Sequence, residues 1–402
     1  MTVASGPMDD HSGDSGEVEV TAILEPATDT RRRSFLVADV ALADLTTANR
    51  EAGTERIRAR DGELLLRLVE QTAFGPTVLL QDSGRGGPVT EDDAVVIETA
   101  TAVFRAWDNA QGGGLRRKAV IGQLADTTAL LDGPFASNQA ARRCYSAVAD
   151  LAQLAGWMTW DLQLHATAQN YYLLGLALAR DAGDRSQVAR MMYCLSRQMI
   201  DLGRPVDALD LAAAGSYAIR RQTPPKATAL LLVAQARAHA CLGAEKECRA
   251  SLSAAQDSFT GNAPDREWCS FFDGAEFAGL TGVTLRDLAL AAPESATRIA
   301  TEARSWTEKA ARGRSAAFLR SKILDTDGVA VTSLLAGEPD RAAVATADAL
   351  TLTSRLRSPR TIRRVTDTIA MGARAFPHAA PWDDLADQAQ ALPGSAPVAS
   401  PS

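Results

Sequence analysis

Residues 151–184 read LAQLAGWMTWDLQLHATAQNYYLLGLALARDAGD. Together with residues 140–150 they form the unit that the rest of the chain copies. Cys144, Val148, Leu151, Ala155 and Met158 follow one another at spacings of four, three, four and three. That is one apolar stripe of an α-helix. Ala168, Tyr172, Gly175 and Ala179 make a second stripe, with small residues at Ala168 and Gly175 where a neighbouring backbone can come close. Two amphipathic helices joined by a few residues cannot bury both stripes by themselves, so such a pair requires further pairs beside it.

The chain supplies them. Taking Ala168 as reference, its counterparts are Ala208, Cys248, Ala296 and Ala342, at intervals of 40, 40, 48 and 46 residues. Positions four and seven further on are Ala212 and Gly215, Leu252 and Ala255, Ala300 and Ala303, Thr346 and Ala349. Pro205, Pro293 and Pro339 each stand three residues before the reference. A first helical turn tolerates proline there, because the missing N–H has no intrahelical partner. Gly203, Gly243 and Gly337 stand five before it, where the chain must turn. No segment alternates as a strand would. The reading is therefore all-α, a right-handed α-solenoid of tetratricopeptide-like helix pairs.

Composition agrees. With 46% hydrophobic and 23% charged residues, the 402-residue chain is that of a folded soluble protein. Aromatics are only 5%, so the core is built from small and aliphatic side chains that suit close helix packing. A net charge of −7 argues against wholesale nucleic-acid binding. Cys144, Cys194, Cys241, Cys248 and Cys269 are odd in number, irregularly spaced and all placed in predicted helices. They read as buried thiols of a reducing, cytoplasmic compartment. Thr30-Arg31-Arg32-Arg33-Ser34-Phe35-Leu36 has the look of a twin-arginine export signal. Asp39 and Asp44 interrupt the apolar run that should follow, so it is read instead as opening an amphipathic helix. No apolar run is long enough to span a membrane.

Taken in order, the chain divides into a disordered tail (1–29), a helical cap region (30–135), the repeat array (136–356), capping helices (357–391) and a second disordered tail (392–402). Within the cap region a helix ends at Phe74, residues 81–88 form a glycine-rich loop, and Thr90 to Asp93 open the next helix with a capping box. That helix stops at Gly112, Gly113 and Gly114, and another spans 115–131. In the array, a helix starting at Pro264 is expected to carry Trp268, Phe272, Ala275 and Gly279 on one face.

Chemical motifs are sparse. Gly84-Arg85-Gly86-Gly87 lacks the lysine and hydroxyl of a phosphate loop. His239, Cys241 and Cys248 are the nearest approach to a metal cluster, but residues two apart on a helix face different ways, and packing accounts for Cys248. His165 lies in the turn between paired helices with Asp161 nearby and no nucleophile tied to it. With His11 and His378 in flexible regions, acid–base candidates are few. The chain reads as a non-enzyme with no cofactor and no metal. Trp157, Trp160, Tyr171 and Tyr172 read as core, with a ligand groove as the alternative, and Trp157 in particular as structural. The run Arg355, Arg357, Arg360, Arg363 and Arg364 reads as a solvated last helix whose charge suits its C-terminal end. The other reading of the run is a face for an acidic partner or a nucleic-acid backbone.

Several stretches resemble one family, in order. They are Phe104-Arg105-Ala106-Trp107-Asp108-Asn109 with Gly112-Gly113-Gly114, Leu154-Ala155-Gly156-Trp157-Met158, and Ser196-Arg197-Gln198 with Leu202-Gly203-Arg204-Pro205. Ala238-His239-Ala240-Cys241-Leu242-Gly243, Trp268 with Phe272-Asp273 and Glu276, and Leu356-Arg357-Ser358-Pro359-Arg360 complete the set. Over residues 90–370 the chain resembles Xre-type helix-turn-helix transcriptional regulators of actinobacteria, in their C-terminal tetratricopeptide-like region. Members begin with a DNA-binding helix-turn-helix and then an Arg-Arg-x-Phe-Leu-like junction. Here that junction falls at Arg32, which leaves no room for the reader of DNA. The resemblance implies a regulatory protein whose groove takes a protein, peptide or small effector, with a homodimer left open. Specific DNA binding is not expected of this chain alone. The competing expectation is a DNA-binding regulator, or a truncated copy of one, acting through its arginine clusters.

Overall fold

The structure, a computed structural model, describes residues 59–74, 87–112, 116–222, 224–259, 269–377 and 379–391. The expectations for both tails, Arg31 to Arg33, the loop up to Gly86, Gly113, Gly114 and Trp268 lie outside them. Among the described residues there are fifteen α-helices and no strand. A single isolated bridge joins Val89 to Phe135.

Three helices precede the array: α1 (Gly62–Phe74), α2 (Glu91–Gln111) and α3 (Arg117–Leu130). The expected capping box opens α2, where the Asp93 carboxylate accepts from the Thr90 backbone N–H at 2.8 Å and its hydroxyl at 2.9 Å. Helix pairs follow: α4 (Asn138–Asp161) with α5 (His165–Asp181), and α6 (Arg185–Asp201) with α7 (Pro205–Ile219). Then come α8 (Pro225–Cys241) with α9 (Glu245–Ser258), and α10 (Gly274–Ala291) with α11 (Ala296–Gly313). The last are α12 (Leu319–Leu335) with α13 (Pro339–Thr353), and α14 (Pro359–Ala375) with α15 (Ala380–Gln390). Each helix packs on its pair-mate, and successive pairs pack on one another through their first helices, the order of an α-solenoid.

The repeat register explains this packing. Ala168, Ala208, Cys248 and Ala342 have no exposed surface. A β-carbon on Gly175 would lie 2.8 Å from Met191 Cε, and one on Gly215 2.7 Å from Leu231 Cδ2, so the following helix needs the missing methyl. Gly203, Gly243 and Gly337 turn the chain at φ of 71°, 71° and 81°, a left-handed conformation that opposes a side chain. Pro205 and Pro339 are the first residues of α7 and α13.

Two expectations need correction. Ala296 is only partly buried, as the first residue of α11 after a 3₁₀ turn at Pro293–Ser295; its expected partners Ala300 and Ala303 are fully buried, with Ile299 beside them. The helix expected from Pro264 begins at Gly274. Asp273 caps it by accepting from the Glu276 N–H at 2.8 Å. Phe272 and Cys269 therefore sit in the preceding turn, both fully buried, with Phe272 5.1 Å from the ring of Phe259.

The array curves until its ends meet. α2 packs on α12, and α14 packs on α4. Gly112, at φ 82°, terminates α2 against the 356–358 segment: the Arg357 N–H donates to the Gln111 carbonyl at 3.3 Å, and a β-carbon on Gly112 would lie 2.7 Å from the Arg357 oxygen. α1 lies outside the ring across α5 and α7, burying Leu65 and Val69.

Candidate functional site

The first helix of every pair, and α2, present residues to one central cavity of about 170 Å³ that opens to solvent. Each contributes through positions beside its buried stripe, so the 40-to-50-residue repeat also repeats the lining. Leu154, Leu280, Val283 and Leu324 supply apolar wall. Between them stand nine arginines, against four lining carboxylates, those of Asp108, Asp201, Glu276 and Asp325.

A buried guanidinium without a counter-charge costs several kcal/mol, and the structure meets that cost with carboxylates shared between helices. Asp150 lies between Arg105 (2.7 Å) and Arg190, both of which also donate to Gln153 Oε1, at 3.1 and 2.6 Å. Asp287 holds Arg237 at 2.8 Å and Arg286 at 2.6 Å. Asp161 holds Arg320 at 3.1 Å and Arg360 at 3.4 Å, and accepts from Ser358 Oγ at 2.8 Å. Arg314 spans Glu276 at 2.5 Å and Asp325 at 2.8 Å, while Arg364 reaches Asp201 at 2.7 Å.

Local fields shift these groups. Burial would raise Asp150 and Asp201, but arginines beside each hold them below the usual carboxylate range. Asp325 goes the other way. Burial, with Glu276 and Asp273 near it, pushes it to about 7 despite Arg314. Burial lowers the Arg360 guanidinium, and the positive neighbours Arg197 and Arg320 push in the same direction.

One guanidinium is provided for differently. Arg197 on α6 has no carboxylate within ion-pair reach among the described residues. Its Nη1 donates to the Tyr193 hydroxyl at 3.2 Å, and its Nε is buried without a partner. It lies 5.3, 5.7 and 5.6 Å from the ring centres of Trp157, Trp160 and Tyr193. Arg360 approaches the two indoles at 5.1 and 4.2 Å, and the indoles meet edge to face at 5.1 Å.

The structure separates residues that the sequence grouped. Arg355, Arg357 and Arg363 are exposed, whereas Arg360 is buried and Arg364 partly buried, and these two line the cavity. The run is not a solvated C-terminal end. Its helical members occupy the first turns of α14, where the dipole disfavours cations, and Asp161 and Asp201 offset that cost. Trp157 packs against the core and is partly exposed where it lines the cavity, while Tyr171 and Tyr172 are buried in the core. His165 opens α5, its carbonyl accepting from Gln198 Nε2 at 3.1 Å. Cys241 Sγ lies 3.9 Å from Asp287, and no group of three or more His, Cys, Asp or Glu among the described residues is placed to hold a metal.

Besides Arg314, which follows α11, sequence reasoning missed six helical arginines of the lining: Arg105, Arg190, Arg197, Arg237, Arg286 and Arg320. A signal was there: each is an arginine set into a mostly apolar helix, near the repeat period from an aspartate or another arginine. Five of the six stretches quoted together in the sequence analysis supply residues to the cavity or its closing seam, among them Arg105, Trp157, Arg197, Glu276 and Ser358. No helix among the described residues is long and apolar enough to cross a membrane. No protein-family model matches the chain, and no curated protein matches it.

Proposed function

We propose that the chain is a non-catalytic, cytoplasmic regulatory protein of the Xre-associated tetratricopeptide kind, and that its central cavity takes a small effector or a short peptide. The observation that carries this reading is the cavity, a single space built by the inner helix of successive pairs and closed by contacts between the two ends of the array. Its space of about 170 Å³, open on one side, suits a small molecule or the side chain of a peptide that reaches in. Its acids are engaged in ion pairs with arginines, Asp325 included, which Arg314 holds at 2.8 Å. An occupant touching α4 and α6 on one side and α12 and α14 on the other would favour the closed ring over an opened one. That differential affinity is what an effector needs in order to change how the outer surface meets a partner.

The competing reading, direct DNA binding through the arginine run, has lost its best support because Arg360 and Arg364 face the cavity and are paired with Asp161 and Asp201. Two measurements on the full chain decide between them. The low-molecular-mass fraction of a host extract should raise its melting midpoint, and Trp157→Ala should abolish that rise. A gel shift at physiological salt should give no discrete complex. Absence of stabilisation, together with a promoter complex that resists excess unrelated DNA, would reverse the assignment.

A further inference from the structure

Resting on the reading of the cavity as a binding site, we infer that its ligand carries one oxyanion, a carboxylate, phosphate or sulfonate, on an aromatic or otherwise apolar body, with the oxyanion held by Arg197. Charge argues first. Counting Asp150, Asp161, Asp287 and Asp327, which stand behind the lining, eight carboxylates face nine guanidiniums. Three of the eight are each shared by two arginines, so the cavity keeps a positive excess that a bound anion would neutralise.

The excess has an address. Arg197 alone among the nine is left without a carboxylate, Asp201 and Glu276 acting on it only at longer range, and its buried Nε donor is unmatched. A second buried donor in the wall is also unmatched: the indole N–H of Trp160, a residue 1% exposed. Unpaired buried donors cost free energy that an acceptor brought in by a ligand recovers. The faces of Trp157 and Tyr193 beside Arg197, and the aliphatic wall at Leu154, Leu280 and Val283, provide contact for an apolar body. The four lining carboxylates set the upper limit, since further negative charge on the ligand would meet Asp108, Asp201, Glu276 or Asp325. A polyanion does not fit; a single anionic group does.

The test uses 8-anilino-1-naphthalenesulfonate and its uncharged analogue N-phenyl-1-naphthylamine, titrated into the full chain and followed by energy transfer from tryptophan. The sulfonate should bind more tightly. Arg197→Met should weaken it by about tenfold or more, the loss of a charge-assisted hydrogen bond, and leave the neutral probe unchanged. Arg197→Lys, which keeps the charge and loses the fork, should fall between and serves if the methionine variant does not fold. Short acidic peptides and aromatic carboxylates, as competitors of the bound sulfonate, distinguish a peptide source from a small-molecule one. Equal binding of both probes, or sulfonate binding indifferent to Arg197, overturns the anion assignment and leaves the cavity a binding site. Binding of neither probe removes both.

Discussion

Arg320 on α12 and Asp108 on α2, 212 residues apart in the chain, make a buried two-pronged contact. Arg320 Nη1 donates to Asp108 Oδ2 at 3.0 Å and its Nη2 to Oδ1 at 2.9 Å. Asp161 of α4 completes the cluster at 3.1 Å from Arg320 Nε, with Ser358 and Arg360 attached on its other side. Helices from both ends of the array thus converge on one buried charge network, which makes the solenoid a closed ring rather than an open superhelix.

Asp108→Ala should therefore open the seam. Arg320 keeps Asp161, so the loss is less than that of a fully isolated charge, about 3 kcal/mol. The double variant with Arg320→Met should recover part of it, because both charges then leave together. Urea denaturation gives the energies, and small-angle scattering should show a larger radius of gyration for the single variant. An unchanged midpoint with an unchanged radius would mean that the seam does not hold the ring.

Gly112→Ala should weaken the same seam through the backbone. A side chain there opposes φ of 82° and meets the Arg357 carbonyl at 2.7 Å, at a cost of about 1–3 kcal/mol. Gly122, inside α3, has nothing within 4 Å of an added β-carbon. Gly122→Ala should be neutral or stabilise by about 0.5–1 kcal/mol through helix propensity. Similar thermal midpoints for both variants would refute the close approach.

At the reference positions the contacts between paired helices tolerate no added bulk. Ala208 is fully buried and its carbonyl accepts from Ser196 Oγ at 2.7 Å on the preceding helix. Ala208→Leu and Ala342→Leu should each cost about 1–3 kcal/mol by overpacking. Arg220→Ala is the control, an exposed side chain stacked on Tyr217, expected to change stability by about 0.5 kcal/mol or less. Three equal melting midpoints would sink the repeat register.

Asp327 on α12 makes the pH dependence testable. Burial pushes it up to about 6, partly offset by the hydroxyl of Thr368, which donates at 2.7 Å, and by Arg286 and Arg364. A folded value above the unfolded one, about 3.9, means that the native state binds the extra proton between about pH 4 and 6. This group's contribution to stability therefore falls as pH rises through that window. Asp327→Asn keeps an acceptor for Thr368 and removes the titration. It should match the wild type at about pH 4 and exceed it by about 1–3 kcal/mol at pH 8. A gain of the same size at both pH values would show that ionisation is not its cause.

Much of the repeat was legible because its signals are local. Small residues at fixed intervals, prolines in one phase and glycines before each turn act within a few residues of the chain, where spacing and backbone sterics decide the outcome. Ala296 shows the limit, since a 3₁₀ turn at Pro293–Ser295 leaves it at the very start of α11 and only partly buried, while Ala300 and Ala303 keep the expected register. The site was hardly legible. Arg360 and Arg363 are three residues apart in one basic run, yet one is buried over Trp160 and the other exposed.

The sequence by itself determined the helix pairs, their register and the small residues through which they pack, because helical periodicity and turn chemistry are properties of neighbouring residues. Only the tertiary structure decided that the array closes, that Gly112 meets Arg357, and that nine arginines spread over about 260 residues line a single cavity. Those relationships depend on the summed rotation from pair to pair. That rotation places Arg320 against Asp108, and no local pattern records it.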